Sequence, residues 1–166
     1  MIACTLYRLS AGLRCRIIRS PQGTPYLERY HLLRLPGIGR LYLHRFLASD
    51  PDRGLHDHPW PWAISLLLAG AYREIRPGGA RRRGPASIAL IRGHERHRVL
   101  LEEREAWTLF AHGPKTKGWG FWRGGRYLPH EEALGEAPHH QWWRTAARAR
   151  ALRRTGEAAG APIGLD

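Results

Sequence analysis

The chain has 166 residues, of which 43% are hydrophobic and 7 are tryptophan, and its formal net charge is +13. These values predict one globular domain with a packed core and exclude a disordered chain. The apolar runs are shorter than the roughly 18–20 residues of a membrane-spanning helix, and the N-terminus lacks the pattern of a signal peptide. We therefore expect a cytoplasmic protein with no membrane partner.

Short strand-like runs dominate the chain, separated by turn signals of Gly, Pro, Asp and Arg, a pattern typical of all-β folds. Strands are predicted at 26–35, 40–47, 62–70, 71–75, 86–91, 97–101, 106–112 and 119–123. The runs 62–70 and 71–75 resemble the two arms of a hairpin, and 77–85 resembles a loop. A helical pattern covers 139–155 and is followed by a Gly/Ala/Pro tail. We predict a small β-barrel or sandwich with one C-terminal helix.

The positive charge is almost entirely arginine and is scattered, apart from two clusters. The first, at 81–83, is expected in a loop, and the second, at 144–154, is expected on the C-terminal helix. We interpret both as solvated basic faces, so a nucleic-acid partner is disfavoured, although weak attraction to acidic partners is physically reasonable. Cys4 and Cys15 lack a CxxC spacing, which predicts free thiols and no disulfide framework.

The sequence His-Asp-His at 56–58 stands at the head of the apolar run 62–70. Because side chains alternate along a strand, His56 and His58 should share one face and converge on one metal ion. Asp57 should point away, into a contact with a loop. Several histidines are candidates for the third ligand, and one of them, His97, opens a predicted strand about 39 residues after His58. His94, in the preceding turn, is a second candidate as a ligand or an acid–base group.

Two further histidines on predicted strands are also candidates for the third ligand, and those of the outer segments are weaker candidates. They are His44 and His112 on predicted strands, and His31, His130, His139 and His140 in the outer segments.

The histidine pattern resembles the two motifs of the cupin superfamily. His56 and His58, closed by Gly70, resemble the first motif, and His97, preceded by Gly93, resembles the second. The resemblance covers about residues 40–122 and implies an all-β cupin fold, a double-stranded β-helix or jelly-roll barrel.

One departure from the cupin motif changes the implied ligand set. The position of its glutamate holds Ala63, or Trp62 with the shorter spacing, so a three-histidine site with open coordination positions remains. This site is similar to that of the thiol dioxygenases, the cysteine dioxygenase branch, which hold Fe(II) with three histidines. In that resemblance Arg45 stands near an arginine for the substrate carboxylate. His112 stands near a catalytic tyrosine that is absent here, which argues against a cysteine substrate.

Small uncharacterised cupins, some of them from bacteriophage genomes, also resemble this chain in the pattern HRF…SD.DRGLHDHPWP. They imply no particular chemistry.

We expect a single cupin domain over 1–138, with the metal-binding core at 40–122 and a helix and tail over 139–166. The favoured function is a mononuclear non-haem Fe(II) oxygenase that acts on a small-molecule or peptide substrate. A 2-oxoglutarate mechanism is disfavoured because it usually requires a carboxylate ligand. Neutral imidazole binds several ions, so Zn, Ni and Mn stay open. A metal-dependent lyase, isomerase or epimerase, and a metal-containing binding protein without turnover, are the alternatives.

Further residues are assigned candidate roles around this site. The catalytic candidates are His112 and Tyr72, and the substrate-binding candidates are Arg45, Arg98 and Trp62. Arg45 could clamp a carboxylate at two points. One or two of the tryptophans could wall an apolar pocket around the ion. Exposed Trp142 and Trp143 could form the contact of a homodimer.

Overall fold

The computed structural model of the chain describes residues 1–134 and 141–162. The strands are β1 (Cys15–Arg19), β2 (Pro25–Leu35), β3 (Gly39–Phe46), β4 (Leu55–His56), β5 (Trp62–Ala69), β6 (Tyr72–Arg76), β7 (Gly79–Arg83), β8 (Ile88–Arg92), β9 (Arg98–Leu101), β10 (Ala106–His112), β11 (Gly120–Arg123) and β12 (Arg126–Pro129). The helices are α1 (Ile2–Ser10), α2 (His130–Leu134) and α3 (Ala149–Arg154), and a 3₁₀ turn spans Trp142–Arg144. Within these residues no helix has the length and apolar character needed to cross a membrane.

The strands form three antiparallel sheets. The main sheet has six strands in the order β1-β2-β3-β10-β5-β8, and the two smaller sheets have the orders β12-β11-β4 and β7-β6-β9. The inner face of the main sheet, which carries Tyr42 and Phe110, is directed toward the smaller sheets. Leu67 and Ala106 on this face pack against Tyr72 of β6. Alternation along each strand therefore separates an inner face, which can line a site, from an outer face.

The outer face of the main sheet is covered by the terminal helices. Tyr30 and Trp107 are fully buried there, with their rings stacked at 5.9 Å between centroids. Leu6 of α1 and Leu152 of α3 pack against this cluster. Cys15 lies in the same cluster, and neither Cys15 nor Cys4 forms a disulfide, as the spacing predicted.

The predicted hairpin between 62–70 and 71–75 is wrong. β5 pairs with β10 and β8, whereas β6 pairs with β7 and β9 in another sheet. Both edges of β5 are therefore occupied, and the chain leaves the main sheet at Gly70. This residue has φ +79°, and a Cβ built there would lie 2.1 Å from the carbonyl oxygen of Glu105. The left-handed backbone and the close approach both require glycine.

The arginine run at 81–83 is also not a loop, because it forms most of β7. Glu74 lies on the neighbouring strand β6, and Arg83 is buried against its carboxylate. The helical pattern at 139–155 is realised as the 3₁₀ turn and the six-residue α3. The expected domain boundary at residue 138, with His139 and His140, lies outside the described residues, so that boundary stays a prediction.

Trp142 and Trp143 are half-buried, so the expectation that both are exposed is wrong. Trp143 stacks on His31 with 4.8 Å between ring centroids, and Trp142 stacks on Tyr42 at 6.2 Å. Their aromatic surface is therefore used largely within the chain.

Candidate metal centre

His56 and His97 are brought together by backbone pairing between two short segments. The N–H of His56 donates to the carbonyl of His97 at 2.9 Å, and the N–H of His97 donates to the carbonyl of His56 at 3.0 Å. On its other side His56 pairs with Phe121 of β11. Residues that exchange both hydrogen bonds across an antiparallel pair place their side chains on the same face. The two imidazoles are therefore neighbours because of the backbone.

His58 reaches the same point through a close crossing of two chain segments. Its N–H approaches the carbonyl oxygen of Gly93 at 3.4 Å. A Cβ built on Gly93 would lie 2.0 Å from the carbonyl oxygen of Trp60, so a side chain at position 93 would push the two segments apart. The glycine that the cupin resemblance singled out thus has a physical role, which is to let the His58 segment pass.

The three predicted ligands form one cluster. One ring nitrogen from each of His56, His58 and His97 lies within 4.8 Å of the others, and the ring centroids are 4.9–5.1 Å apart. The two histidines of the His-Asp-His segment therefore converge as alternation predicted, although only His56 lies in a strand. Nitrogens bound to one ion at about 2.1 Å can be at most ~4.2 Å apart, so shifts of well under ~1 Å would close the cluster around an ion.

Glu74 fixes the orientation of His97. Its Oε1 lies 2.9 Å from Nδ1 of His97, while Arg83 and Arg76 donate to the same carboxylate at 2.7 and 2.8 Å. Burial alone would raise the pKa of Glu74, but the hydrogen bonds from His97, Arg76 and Arg83 bring it well below its ordinary value. The carboxylate is therefore ionised and can accept the Nδ1–H of His97, which leaves Nε2 of His97 as the nitrogen that faces the cluster.

The other two imidazoles are held neutral. Burial lowers the pKa of His56 to about 4, and that of His58 falls well below 6.5 for the same reason. Nε2 of His58 lies 2.8 Å from Nε2 of His97, within hydrogen-bond distance. Neutral imidazole is the form that binds metal. The three residues therefore fit an ion.

Aromatic rings wall one side of the cluster. Trp60 stacks on His58 with 5.1 Å between ring centroids and on His112 with 3.9 Å between centroids. The centroid of the Phe121 ring lies 6.2 Å from that of His56. The Nδ1–H of His112 donates to the carbonyl oxygen of Gly113 at 2.7 Å. Burial lowers the pKa of His112 to about 4, so it is neutral at pH 7. His112 can accept a proton on Nε2, but it cannot serve as a general acid at that pH.

Arg45 does not lie at the site, and its predicted role as a carboxylate clamp is wrong. It points to the outer face of the main sheet, where its Nε donates to Glu105 at 2.7 Å and its Nη1 lies 3.4 Å from Glu28. Its Nη2 donates to the carbonyl oxygen of Gly160 at 2.9 Å. The strand parity of β3 explains the error, because His44 occupies the inner face and Arg45 the opposite one.

The remaining candidates lie beside the cluster rather than in it. Tyr72 is buried on the same side of β6 as Glu74 and hydrogen-bonds Ser65, and its pKa is raised mainly by burial. Arg98 follows His97 on the opposite face of β9 and pairs with Asp52 at 2.6 Å. Trp62 and Ala63 lie on opposite faces of β5, and Ala63 is the one that belongs to the core.

His94 and Asp57 also lie away from the ligand cluster. His94 is exposed in the turn before β9. Asp57 accepts hydrogen bonds from Lys117 at 2.6 Å and from the N–H of Gly120 at 2.8 Å, which confirms the predicted loop contact.

Two charged residues near this site were missed in the sequence. Glu74 alternates with Tyr72 on the buried side of a strand, a position at which a carboxylate requires a partner. Arg29 lies on the inner face of β2, and the strand parity of 26–35 could have placed it there.

Comparison with solved structures gives consistent fold neighbours. A cupin 2 conserved barrel domain protein from Rhodopseudomonas palustris matches with a TM-score of 0.56 and 9% identity over 68% of this chain and 79% of that one. A predicted oxalate decarboxylase from Thermotoga maritima matches with a TM-score of 0.53 and 18% identity over 63% of this chain and 95% of that one. A DMSP lyase from Ruegeria pomeroyi DSS-3 matches with a TM-score of 0.54 and 16% identity over 66% of this chain and 60% of that one.

The chain has the cupin fold. No family model and no curated protein matches the sequence. Within this fold the three-histidine cluster could hold a metal ion, as the sequence motifs predicted.

Proposed function

We propose that this cupin is a mononuclear non-haem Fe(II) oxygenase whose ion is held by His56, His58 and His97. The carrying observation is a cluster of three imidazoles with no carboxylate among the ligand atoms. Three neutral ligands leave a divalent ion its full charge, which favours an anionic substrate group beside it. When bound, Fe(II) would supply open positions for O₂ and substrate together.

The surrounding residues would prepare the site for this chemistry. Glu74 can accept the Nδ1–H of His97, so Nε2 stays available to the ion. Trp60 and Phe121 cover the imidazoles and exclude water from part of the cluster. His112, with its Nδ1–H bound to a backbone carbonyl, presents Nε2 as an acceptor and is our candidate for a proton-accepting residue. Tyr72, two residues from Glu74 on the same strand face, is the other catalytic candidate.

A metal-dependent lyase or isomerase on the same three ligands is the second candidate. It is favoured by the structural likeness to the decarboxylase-like and lyase structures and by the lack of an assigned oxygen-binding residue. Such an enzyme would use the ion as a Lewis acid and would not consume O₂.

The experiment compares iron-loaded and zinc-loaded protein under air. Oxygen uptake is recorded with an electrode against a panel of small carboxylates, thiols and short peptides. The oxygenase proposal expects substrate-dependent uptake by the iron form and none by the zinc form. Turnover that is retained with zinc and is independent of O₂ would overturn it in favour of the lyase. A bound metal without any turnover across the panel would favour a binding protein.

A further inference from the structure

A second concave surface, the outer groove, lies apart from the histidine cluster. Its volume is about 450 Å³, which is within the roughly 300–1,000 Å³ of sites that hold small molecules. Residues of β4, β6, β9 and β11 and of the turns beside them line it. They include Leu55, Ile75, Arg96, Arg98, Trp122 and Arg123.

Strand alternation places the outer groove on the opposite face from the metal centre. Leu55 pairs with Trp122 across β4 and β11, whereas the next pair, His56 and Phe121, belongs to the side of the imidazoles. Successive side chains along a strand point to opposite faces. A ligand in the outer groove is therefore separated from the histidine cluster by the strands themselves and would not contact an ion held there.

The outer groove is cationic. Three arginines line it, and no Asp or Glu of the described residues does so. Arg98 pairs with Asp52 at 2.6 Å, but Asp52 is 71% exposed. Arg96 and Arg123 form neither an ion pair nor a hydrogen bond with any residue in 1–134 or 141–162. Two unpaired positive charges match the charge of about −1.5 to −2 on a phosphate monoester at pH 7 better than the single charge of a carboxylate.

Trp122 holds Arg96 without using its hydrogen-bond donors. The guanidinium carbon of Arg96 lies 4.0 Å from the centre of the Trp122 ring, which is a cation–π contact. The Trp122 ring packs in turn against Tyr127, with 5.0 Å between ring centroids. Arg96 is half-buried, so its position is restricted. Its N–H groups stay available for an acceptor, and the planar guanidinium fork suits two oxygens of a phosphate group.

The apolar part of the lining favours an organic phosphate over a bare ion. Leu55, Ile75 and Pro77 line the outer groove together with the arginines. The carbon skeleton of a phosphate ester would cover these side chains and release water from them, whereas an inorganic ion would leave them wet. Gly124 and Gly125 border the groove, and a Cβ built on either would meet no atom within 4 Å. A ligand can therefore enter at this turn.

We propose that the outer groove binds a small organic phosphate, with the phosphate group at Arg96 and Arg123 and the carbon skeleton against Leu55 and Ile75. This ligand is not the substrate of the three-histidine site, because it lies on the other face of the same strands. The inference does not depend on the proposed function, so binding is expected in the metal-free protein.

The test is calorimetry on the metal-free protein with phenyl phosphate as the probe. Inorganic phosphate, benzoate and a short oligouridylate are the comparison ligands. Phenyl phosphate should bind more tightly than inorganic phosphate, which has no apolar part, and more tightly than benzoate, which carries one charge. Arg96→Gln should weaken phenyl phosphate by roughly 10- to 100-fold, since hydrogen bonds to a charged group are lost. Arg96→Lys should keep part of the binding.

Three further variants separate this site from general effects. Arg123→Gln should also weaken phenyl phosphate and keep the thermal midpoint of the parent, because Arg123 is exposed and forms no hydrogen bond with the described residues. It therefore decides the question if Arg96→Gln is unstable. Asp52→Asn should strengthen binding, because it removes a negative charge beside Arg98. Arg154→Gln is the matched control, since Arg154 is exposed on α3 at the far side of the main sheet, and it should bind as the parent does.

Four outcomes would overturn the proposal. Equal losses in Arg123→Gln and Arg154→Gln would show only an effect of net charge. Benzoate that binds as tightly as phenyl phosphate would show that phosphate is not selected. Oligouridylate binding through Arg96, with none of phenyl phosphate, would replace the small ligand with a nucleic acid. Loss of phenyl phosphate binding in His97→Ala would place the anion at the metal centre instead.

The same variant separates this proposal from the proposed function. His97→Ala should lose the metal and keep phenyl phosphate binding, so failure of the metal site leaves the outer groove intact. A parent protein that loads iron and consumes O₂, but whose phenyl phosphate binding does not depend on Arg96 or Arg123, would sustain the oxygenase and refute the outer groove.

Discussion

Glu74→Gln tests how the site is held together. Glu74 is 2% exposed and receives hydrogen bonds from His97, Arg83 and Arg76, of which Arg83 is 8% and Arg76 is 28% exposed. Removing one partner of a buried ion pair typically costs about 3–5 kcal/mol. Because Arg76 can turn toward water, we expect the lower end, about 3 kcal/mol, in urea unfolding of the metal-free protein.

The same substitution should weaken metal binding. Gln accepts a weaker hydrogen bond than an ionised carboxylate, so Nε2 of His97 becomes a poorer donor to the ion. Loss of such a partner typically lowers metal affinity by about 10–100-fold, which competition with a chelator measures.

Glu102→Gln is the control for Glu74→Gln, since Glu102 pairs with Arg73 and Arg82, both more than half exposed. It should cost less than about 1 kcal/mol and leave metal affinity unchanged. Equal effects of the two substitutions on both quantities would refute the assigned role of Glu74.

Three further predictions concern pH, the outer-face ion pair and the crossing at residue 93. The pKa of His56 in the folded protein is lowered from 6.5 to about 4, so the unfolded state binds this proton more readily than the folded state does. The contribution of His56 to the free energy of unfolding is therefore complete above pH 6.5. By pH 4 about 3 kcal/mol is lost, and unfolding of the metal-free protein that does not depend on pH between 4 and 7 would contradict this. Arg45→Met should lower stability by about 3 kcal/mol because it strands Glu28, yet leave metal affinity unchanged; weakened metal binding would restore Arg45 as a residue of the site. Gly93→Ala should reduce metal loading because the added Cβ meets Trp60, whereas Gly78→Ala, with open space around it, should not.

The strands and the ligand cluster could be predicted because both depend on local patterns. Alternation in 40–47 and 106–112 marked β3 and β10 within one residue at each end. The convergence of His56 and His58 needed only the two-residue period of an extended segment. His97 needed the motif resemblance as well, because its contact with His56 depends on pairing across about 40 residues of chain.

The errors arose where long-range pairing decides the outcome. A turn at Gly70 is equally compatible with a hairpin and with a crossing to another sheet, and the choice depends on β10 and β8 occupying both edges of β5. The arginine run of β7 resembles a loop until Glu74 is placed opposite it. Arg45 was assigned to the site by its position in a motif, whereas its strand parity placed it on the outer face.

The central claim is that His56, His58 and His97 hold one metal ion. Elemental analysis of protein expressed with iron, beside His97→Ala and the exposed control His94→Ala, tests it most directly. We expect about one iron per chain in the parent and in His94→Ala, and loss of the iron in His97→Ala. Full metal retention in His97→Ala, or loss in His94→Ala alone, would contradict it.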